Sequence, residues 1–307
     1  MKNKAPDVTT KFKRYLMLEK SLAANTVEAY MSDLKKLTDF IKASGTDMLS
    51  ASYHDLQEFA ATLNDVGIHP RSQMRIISGI RGFFRFLVLD GYLEKDPSEL
   101  LSSPKPGRHI PEVLSLEEID MMVSAIDAST AEGQRNKAII ETLYGCGLRV
   151  SELCNLHLSD LMLDDEYIKV TGKGNKQRLV PISHKAIEEI NAYTPYRDKI
   201  KIRPGEEDFL FLSKWGKRIS RITVFRFIKD LAAATGIKKA ISPHTFRHSF
   251  ATHMLEGGAN LRAIQCMLGH ECISTTEIYA HMNTRTLRNE ILEHHPRNRA
   301  DGDSQSS

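Results

Sequence analysis

The chain has 307 residues, of which 41% are hydrophobic and 26% are charged, and this length is sufficient for two packed domains. No window approaches about eighteen consecutive apolar residues, and the amino terminus lacks the apolar core of a signal peptide, so the sequence argues against membrane insertion and predicts a cytoplasmic protein. The four cysteines lack the density of a disulfide framework, which favours reduced thiols.

The net charge of +3 is unevenly spread along the chain. Residues 169–229 carry 15 Lys or Arg against 6 Asp or Glu, so the rest of the sequence is acidic. A basic region of this kind suits a polyanion, because each phosphate contact releases a counterion. Charge alone fits a solvated surface equally well, so other features must distinguish the two.

The first hundred residues predict four helices joined by short turns. Apolar residues recur at helical spacing in the first two, the second of which follows an Asn25 cap. The third covers residues 54–66 and the fourth covers residues 71–91, with Gly91 as its stop. The apolar positions of the first two helices are Phe12, Tyr15, Leu16, Leu18, Val27, Tyr30, Leu34, Leu37 and Ile41. Together these elements predict a compact helical domain over residues 1–101.

A linker is predicted at residues 102–111. Prolines and a glycine in and around this stretch rule out a continuous helix or a central strand. They are Pro97, Pro104, Pro106, Gly107 and Pro111.

The second domain is predicted to cover residues 112–297. Its first helix begins with a capping box formed by Ser115 and Glu118. Two short β-branched runs surround the turn at residues 172–175 and predict a hairpin with Lys173 at its tip. Helices dominate the remainder. The fold class is therefore mainly α, a helical domain followed by an α-rich domain with a small β-sheet, and residues 298–307 form a disordered tail.

Two stretches of the second domain place cationic side chains at the beginnings of helices. Gly145 and Gly147 break the chain just before Arg149, from which a helix can resume. In the stretch SPHTFRHSFATHML, Ser242 is a cap and Pro243 fits the first helical position.

One face of the helix after Pro243 carries His244, Arg247 and His248, while Phe246 and Phe250 point into a core. The planar fork of arginine and the start of a helix are both suited to grasping a phosphate.

Two further pieces follow this helix. A short helix capped by Asn260 ends at Gly269, with His270 directly after it. A second capping box, Ser274 and Glu277, begins the helix that contains Tyr279. The pattern by itself does not distinguish a structural role for Tyr279 from a catalytic one.

These segments, taken together, resemble the signature set of the tyrosine site-specific recombinases, also known as the phage integrase family. The resemblance rests on GLRVSEL (147–153), GKGNKQR (172–178), HTFRH (244–248), LGH (268–270) and STTEIYAH (274–281), in that order. The chain is most similar to the chromosome-dimer-resolving Xer branch, and the likeness covers nearly its whole length. It implies that residues 1–101 form a SAM-like, core-binding DNA-binding domain and that residues 112–297 form the catalytic domain.

The resemblance also implies a mechanism. Tyr279 would attack a DNA phosphodiester to give a 3′-phosphotyrosyl link and a free 5′-hydroxyl. Arg149 and Arg247 would clamp the non-bridging oxygens and stabilise the charge that accumulates on the pentacoordinate phosphorus.

Three further catalytic roles are carried over in the same way. Lys173 would protonate the departing 5′-oxygen, His270 would donate to a phosphate oxygen, and His244 would support the phosphate or assist proton traffic at the tyrosine. The exchange of one phosphoester for another needs no metal ion or nucleotide cofactor. In agreement, the sequence contains no GxxxxGK[ST] loop and no acidic cluster with two-metal spacing.

Other interpretations explain fewer of these features. His244, His248, His253, Cys266, His270 and Cys272 offer ligands for zinc, but no CxxC pair is present, and Arg247 would lie beside the cation. A DNA-binding module without catalysis would have no use for a tyrosine among phosphate clamps. A mobile-element integrase or a type IB topoisomerase would share the same chemistry. The compact length, without an extra arm-binding domain, favours the Xer branch.

The last predicted helix carries Thr286, Leu287, Ile291 and Leu292 at near-helical spacing and is too short to stand alone. The resemblance implies that it docks on a neighbouring subunit of a tetramer bound to two DNA duplexes, with a paralogous recombinase as partner. It also implies that the two domains clamp double-stranded DNA and that a septal DNA translocase activates the enzyme through the C-terminal region.

Overall fold

The computed structural model describes residues 8–104, 112–269 and 284–298, with Lys173 described by its backbone alone. The chain divides into two compact units, Met1–His109 and Ile110–Ser307. The division lies within the stretch that was predicted as a linker, and the finer limits given above stay predictions. No helix in the described ranges is long and apolar enough to cross a membrane.

The N-terminal unit is helical. Its helices are α1 (Val8–Leu18), α2 (Ala24–Ala43), α3 (Tyr53–Asp65) and α4 (Pro70–Leu89), with a 3-10 turn at Met48–Ser50. They enclose an apolar core rich in phenylalanine, in which Phe12 packs edge-on against Phe83 with 5.1 Å between ring centroids. Each predicted helix is present, and α4 ends just before Gly91, whose φ of +75° is typical of a helix stop.

Two details of the N-terminal prediction are wrong. Helix α2 begins at Ala24 and its N-cap is Ala23, so Asn25 lies inside the first turn and does not cap the helix. Leu18 is 76% exposed, because α1 ends at this residue and its side chain leaves the apolar face formed by Phe12 and Leu16.

The C-terminal unit, Ile110–Ser307, is the larger of the two and mostly helical, and it is called the catalytic unit below after the role predicted from the sequence. Its elements in chain order are α5 (Leu116–Ser124), α6 (Ala131–Cys146), α7 (Val150–Cys154), β1 (Leu161–Met162), β2 (Tyr167–Thr171), β3 (Gln177–Pro181), α8 (His184–Arg197), α9 (Arg221–Ala234), α10 (Pro243–Glu256), α11 (Leu261–Leu268) and α12 (Thr284–His294). Helix α6 is buried almost throughout and packs against α8 and α10, so it forms the centre of the core. The capping box of Ser115 and Glu118 is present at the start of α5. The predicted fold class is confirmed.

The sheet has three antiparallel strands in the order β1-β2-β3. Strands β2 and β3 form the predicted hairpin, in which Val170 pairs with Arg178 and Thr171 pairs with Gln177. The connection contains a 3-10 turn at Lys173–Asn175, where Gly174 and Asn175 both have positive φ, at 72° and 60°. Lys173 therefore lies at the tip of the hairpin, as predicted.

The C-terminal helix α12 packs on its own catalytic unit, against α10, α11 and β3. Leu287 and Ile291 are buried there, and the Arg288 Nε donates to Glu166 at 2.6 Å. A 3-10 turn at Pro296–Asn298 follows, so Asn298, which was predicted to begin a disordered tail, is ordered. Residues 299–307 of that tail lie outside the described residues.

Candidate active site

The turn between α6 and α7 positions Arg149. Gly147 ends α6 with φ of +59°, and a Cβ there would lie 2.5 Å from a ring carbon of Phe250. A side chain is thus excluded both by backbone conformation and by space. The chain then turns so that Arg149 becomes the N-cap of α7, the helix start predicted from the sequence.

Arg247 extends from the second turn of α10 toward the same turn. Its Nη1 donates to the carbonyl oxygen of Gly147 at 2.7 Å, and its Nη2 donates to the carbonyl oxygen of Leu268. One guanidinium thereby joins α10, the α6–α7 turn and the end of α11. Ser242 is the N-cap and Pro243 the first residue of α10, as predicted, and Phe246 and Phe250 are fully buried beneath this face.

A buried carboxylate, Glu152, gathers the arginines. The Arg149 Nη1 donates to Glu152 Oε1 at 2.8 Å, and the Arg149 backbone N–H donates to Oε2 at 2.9 Å. The Arg178 Nη1 and Nη2 donate to Oε1 and Oε2, each at 3.0 Å. Arg247 Nη1 is 3.9 Å from Oε2. The two arginines predicted as a phosphate clamp are therefore held around a single carboxylate, which is 4% exposed.

The electrostatics of this cluster favour full ionisation. Burial alone would raise the pKa of Glu152, but hydrogen bonds from Arg178 and the Arg149 backbone, with the positive charge of Arg178, outweigh it and lower that pKa. Burial, with the positive charges of Arg149 and Arg178, lowers the pKa of Arg247 to about 10, against the opposing effect of Glu152. Arg247 remains protonated at neutral pH, and the cluster keeps a net positive charge.

Glu152 and Arg178 were not singled out from the sequence, although both lie in the quoted segments. The available signal for Glu152 was its place three residues after Arg149, which is typical of a capping box and has a purely structural interpretation. Arg178 gave no signal, because its partners Glu152 and Met267 are 26 and 89 residues away along the chain.

The remaining predicted site residues differ in how far the structure describes them. Lys173 is present at the hairpin tip by its backbone, and His244 lies exposed in the first turn of α10. His270 and Tyr279 lie outside the described residues. Gly269, the residue before His270, ends α11 with φ of +62°, as predicted for a helix stop.

The residues named for the zinc alternative are dispersed where the structure describes them. The His253 Nδ1 is 2.8 Å from the hydroxyl of Tyr144. His244 is on the opposite, exposed side of α10. Within the described ranges no group of three or more His, Cys, Asp or Glu side chains could hold a metal ion. His270 and Cys272 fall outside those ranges.

Comparison with known proteins identifies the class. The Phage integrase family model matches residues 112–286, and the model of the phage integrase N-terminal SAM-like domain matches residues 9–91. The chain therefore belongs to the phage integrase family, the tyrosine site-specific recombinases.

Within that family, the chain is similar to proteins named tyrosine recombinase XerD. The XerD of Listeria innocua is 38% identical over 294 residues, which are 95% of this chain and 99% of the relative. The XerD of Staphylococcus aureus is 38% identical over 293 residues, 94% of this chain and 99% of the relative. The chain is thus a site-specific recombinase of the XerD type, and the resemblance inferred from the motifs is confirmed.

Solved structures share the fold. The Tn1549 transposon integrase in complex with transposon right end DNA matches with a TM-score of 0.73 at 20% identity, covering 92% of this chain and 98% of that one. The XerH recombinase bound to a palindromic difH substrate matches with a TM-score of 0.68 at 19% identity, covering 92% and 84%. At these identities the likeness concerns the fold.

Proposed function

We propose that this recombinase cuts and rejoins double-stranded DNA with Tyr279 as nucleophile and Arg149, Lys173, His244, Arg247 and His270 as the other catalytic residues. The observation that carries the proposal is the pair of arginines, Arg149 and Arg247, converging on one buried carboxylate at the ends of three helices. Two guanidinium groups with donors to spare suit the two non-bridging oxygens of a phosphodiester.

The proposed cleavage step balances as follows. The phenol oxygen of Tyr279 forms a bond to phosphorus, and the bond from phosphorus to the 5′-oxygen breaks. The departing oxygen takes a proton from Lys173, while the phenolic proton passes to solvent with the assistance of His244. Arg149, Arg247 and His270 donate hydrogen bonds to the non-bridging oxygens as negative charge increases there. Attack by the free 5′-hydroxyl of another strand reverses the step, so the energy of the phosphoester is conserved without a cofactor.

A DNA-binding surface is proposed on α9 and the strands before it. Helix α9 buries Val224, Ile228 and Ala232 and exposes Arg221, Arg226 and Lys229. These three cations belong to the basic region of residues 169–229. Exposed cations along a helix supply phosphate contacts that are independent of sequence, which predicts a steep decrease of affinity with salt.

For the biological role, we propose resolution of chromosome dimers at a site in the replication terminus region. The support is the identity of 38% with proteins named XerD along 95% of the chain. The same proposal includes a tetramer on two DNA sites, with a paralogous recombinase as partner. A septal DNA translocase would activate this tetramer. A mobile element as substrate is the alternative, and the DNA substrate used in the experiment distinguishes the two.

We propose α12 as the element that docks on a neighbouring subunit in the tetramer. The helix packs on its own unit, where Leu287 and Ile291 are buried. Docking in trans would therefore exchange these contacts for equivalent contacts on the next subunit. Deletion of residues 284–307 is expected to leave DNA binding largely intact and to abolish coupled strand exchange. The deletion also uncovers apolar core, so its unfolding transition must be measured in parallel.

The experiment uses a nicked suicide duplex that carries the terminus site of the source organism, incubated with the full chain in EDTA. Wild type is expected to form a covalent protein–DNA adduct on a denaturing gel, and Tyr279→Phe to form none. Tyr196→Phe, a change at a half-buried tyrosine of α8, is the matched control and should behave as wild type. Binding without any adduct, even with a candidate partner present, would support a binding module. Adducts on mobile-element ends alone would support an integrase.

A further inference from the structure

Arg178 has a position that the proposed chemistry does not use. It lies on β3, opposite Val170, on the same hairpin that carries Lys173 at its tip. Its Nε donates to the carbonyl oxygen of Met267 at 2.9 Å, and its two terminal nitrogens reach both oxygens of Glu152. One side chain therefore joins the hairpin, helix α7 and the last turn of α11, the residues directly before His270.

The hydrogen bonds of the Arg178 guanidinium go to acceptors within the protein, the carbonyl oxygen of Met267 and the carboxylate of Glu152. The Arg178 side chain is 16% exposed, against 36% for Arg149. The fork-to-fork pair with Glu152 is the geometry in which guanidinium and carboxylate bind most strongly. Arg178 is thus occupied by the scaffold. The Arg149 guanidinium donates one close hydrogen bond to Glu152 and a longer one, at 3.4 Å, to the carbonyl oxygen of Gly269, so further N–H donors remain for a ligand.

Two glycines border the space that Arg178 fills. A Cβ on Gly269 would lie 3.0 Å from the guanidinium carbon and from Nη1, and a Cβ on Gly172 would lie 3.4 Å from Nη1. The guanidinium is packed against the backbone at Gly269, the last described residue before His270.

We propose that Arg178 is a positioning residue for strand cleavage: by pairing with Glu152 it neutralises that carboxylate and leaves Arg149 and Arg247 free to present two positive charges to the scissile phosphate. The proposal rests on the proposed function of this site. It assigns Arg178 no contact with DNA.

Charge balance gives the physical reason. A phosphodiester carries one negative charge, and attack by the tyrosine oxygen gives a pentacoordinate phosphorus with about two. With Arg178 present, three arginines and one glutamate leave two net positive charges, which match the transition state. Without it, one net positive charge remains, and Glu152 competes with the phosphate for the donors of Arg149 and Arg247. The effect is therefore larger on the transition state than on the bound ground state, and cleavage should suffer more than binding.

The test compares Arg178→Gln and Arg178→Lys with wild type in the full chain. Lys238→Gln is the control, because it also removes one positive charge from the catalytic unit, at an exposed side chain outside the basic region of residues 169–229. Suicide-duplex cleavage, duplex affinity and the pH dependence of both cleavage and unfolding are measured for each variant.

Arg178→Gln is expected to lower the cleavage rate about 100-fold with less than a threefold change in duplex affinity. Its cleavage deficit relative to wild type should shrink as pH is lowered from 8 to 5, because Glu152 without its partner takes up a proton and the two net positive charges are restored. Arg178→Lys should recover part of the cleavage rate at pH 8, since lysine restores the positive charge but cannot form the bidentate hydrogen bond with Glu152. Equal cleavage by Arg178→Gln and Lys238→Gln, or a cleavage deficit that does not shrink on acidification, would overturn the proposal.

Unfolding provides a readout that does not depend on recombination. In wild type, the ionised Glu152 contributes stability above its unfolded pKa, and this contribution is lost as pH decreases through its lowered folded pKa. In Arg178→Gln the stability deficit should be largest at neutral pH and should shrink on acidification. An adduct-free wild type with this unfolding signature would refute the proposed function alone; a deficit independent of pH would refute the role of Arg178.

Discussion

The two units of the chain differ in how they bury charge. Among the described residues of the N-terminal unit, Asp33 is the one charged side chain that is buried, and its partners Arg75 and Lys36 are about half exposed. The catalytic unit buries several, and two of its buried carboxylates, Glu152 and Glu141, have arginine partners, Arg178 and Arg297, that are only 16% and 15% exposed. The buried charged residues of this unit are Arg135, Glu141, Glu152, Asp160, Glu189 and Arg197.

Because a buried ion pair is seldom more stabilising than an apolar contact of the same size, its value is in fixing positions. The arrangement of the N-terminal helices is stabilised mainly by packing of aromatic side chains in the core. Under the proposed mechanism the catalytic unit holds cations at defined places before DNA binds, and the buried carboxylate of Glu152 performs that task. Substitution of the buried charges should therefore show a graded difference between the units.

The largest effect is expected for Glu152→Gln. Three arginines lose their common carboxylate, so the free energy of unfolding should decrease by about 3–5 kcal/mol and strand cleavage should be nearly abolished. Urea unfolding of the full chain and the suicide-duplex assay measure the two quantities. Glu188→Gln, on the exposed side of α8, is the control and should cost less than about 0.5 kcal/mol. Similar values for the two variants would contradict the interpretation of Glu152 as the centre of the site.

A second large effect is expected at the C-terminal anchor. The Arg297 Nε donates to Glu141 at 3.0 Å and its Nη1 donates to Asp120, so the residues after α12 are tied to α5 and α6. Arg297→Ala would leave Glu141, which is 1% exposed, without its cation, at a cost of about 3 kcal/mol at neutral pH.

The pH dependence gives the sign of the Arg297 effect. Burial raises the pKa of Glu141 even with Arg297 present, and the variant should raise that pKa further. The deficit is then largest above the folded pKa and shrinks as pH decreases and the carboxyl takes up a proton. Thermal unfolding of wild type and variant between pH 8 and 4 tests this, and a deficit that grows on acidification would contradict it.

An intermediate effect concerns His295, which is fully buried between the rings of Tyr144 and Phe250. Burial lowers its pKa to about 3. Stability from the neutral ring is therefore present above the unfolded pKa of about 6.5 and is lost as pH decreases below it, by about 2 kcal/mol at pH 5. His295→Phe keeps the stacking and removes the titration, so its stability should vary less between pH 7 and 5. Identical pH profiles would exclude a contribution from His295.

The sequence could predict what depends on neighbouring residues. The capping box at Ser115, the start of α10 at Pro243, the stop at Gly269 and the hairpin tip at Lys173 all follow from signals within a few positions. The helical periodicity of α1 and α2 was also sufficient to identify most of the N-terminal core.

What the sequence could not predict depends on partners far along the chain. The pairing of Arg178 with Glu152 and Met267, and of Arg297 with Glu141, requires the fold to be known. In the sequence a glutamate at the third position of a helix and an arginine in a basic strand both look like ordinary surface residues. Burial converts them into a positioned cluster, and burial is a property of the whole unit.

The smallest effect is expected for Asp33→Asn in the N-terminal unit. The Arg75 Nη2 donates to Asp33 Oδ1 at 3.0 Å, but the Arg75 side chain is 51% exposed and remains solvated when the carboxylate is lost. The asparagine keeps an acceptor for it, so the cost should be about 1 kcal/mol, well below that of Glu152→Gln. Hydrogen exchange followed by mass spectrometry should show faster exchange in α2 and α4 and unchanged exchange in α7 and α10. A loss as large as that of Glu152→Gln would mean that the N-terminal unit also depends on a positioned buried charge, and the contrast between the units would fail.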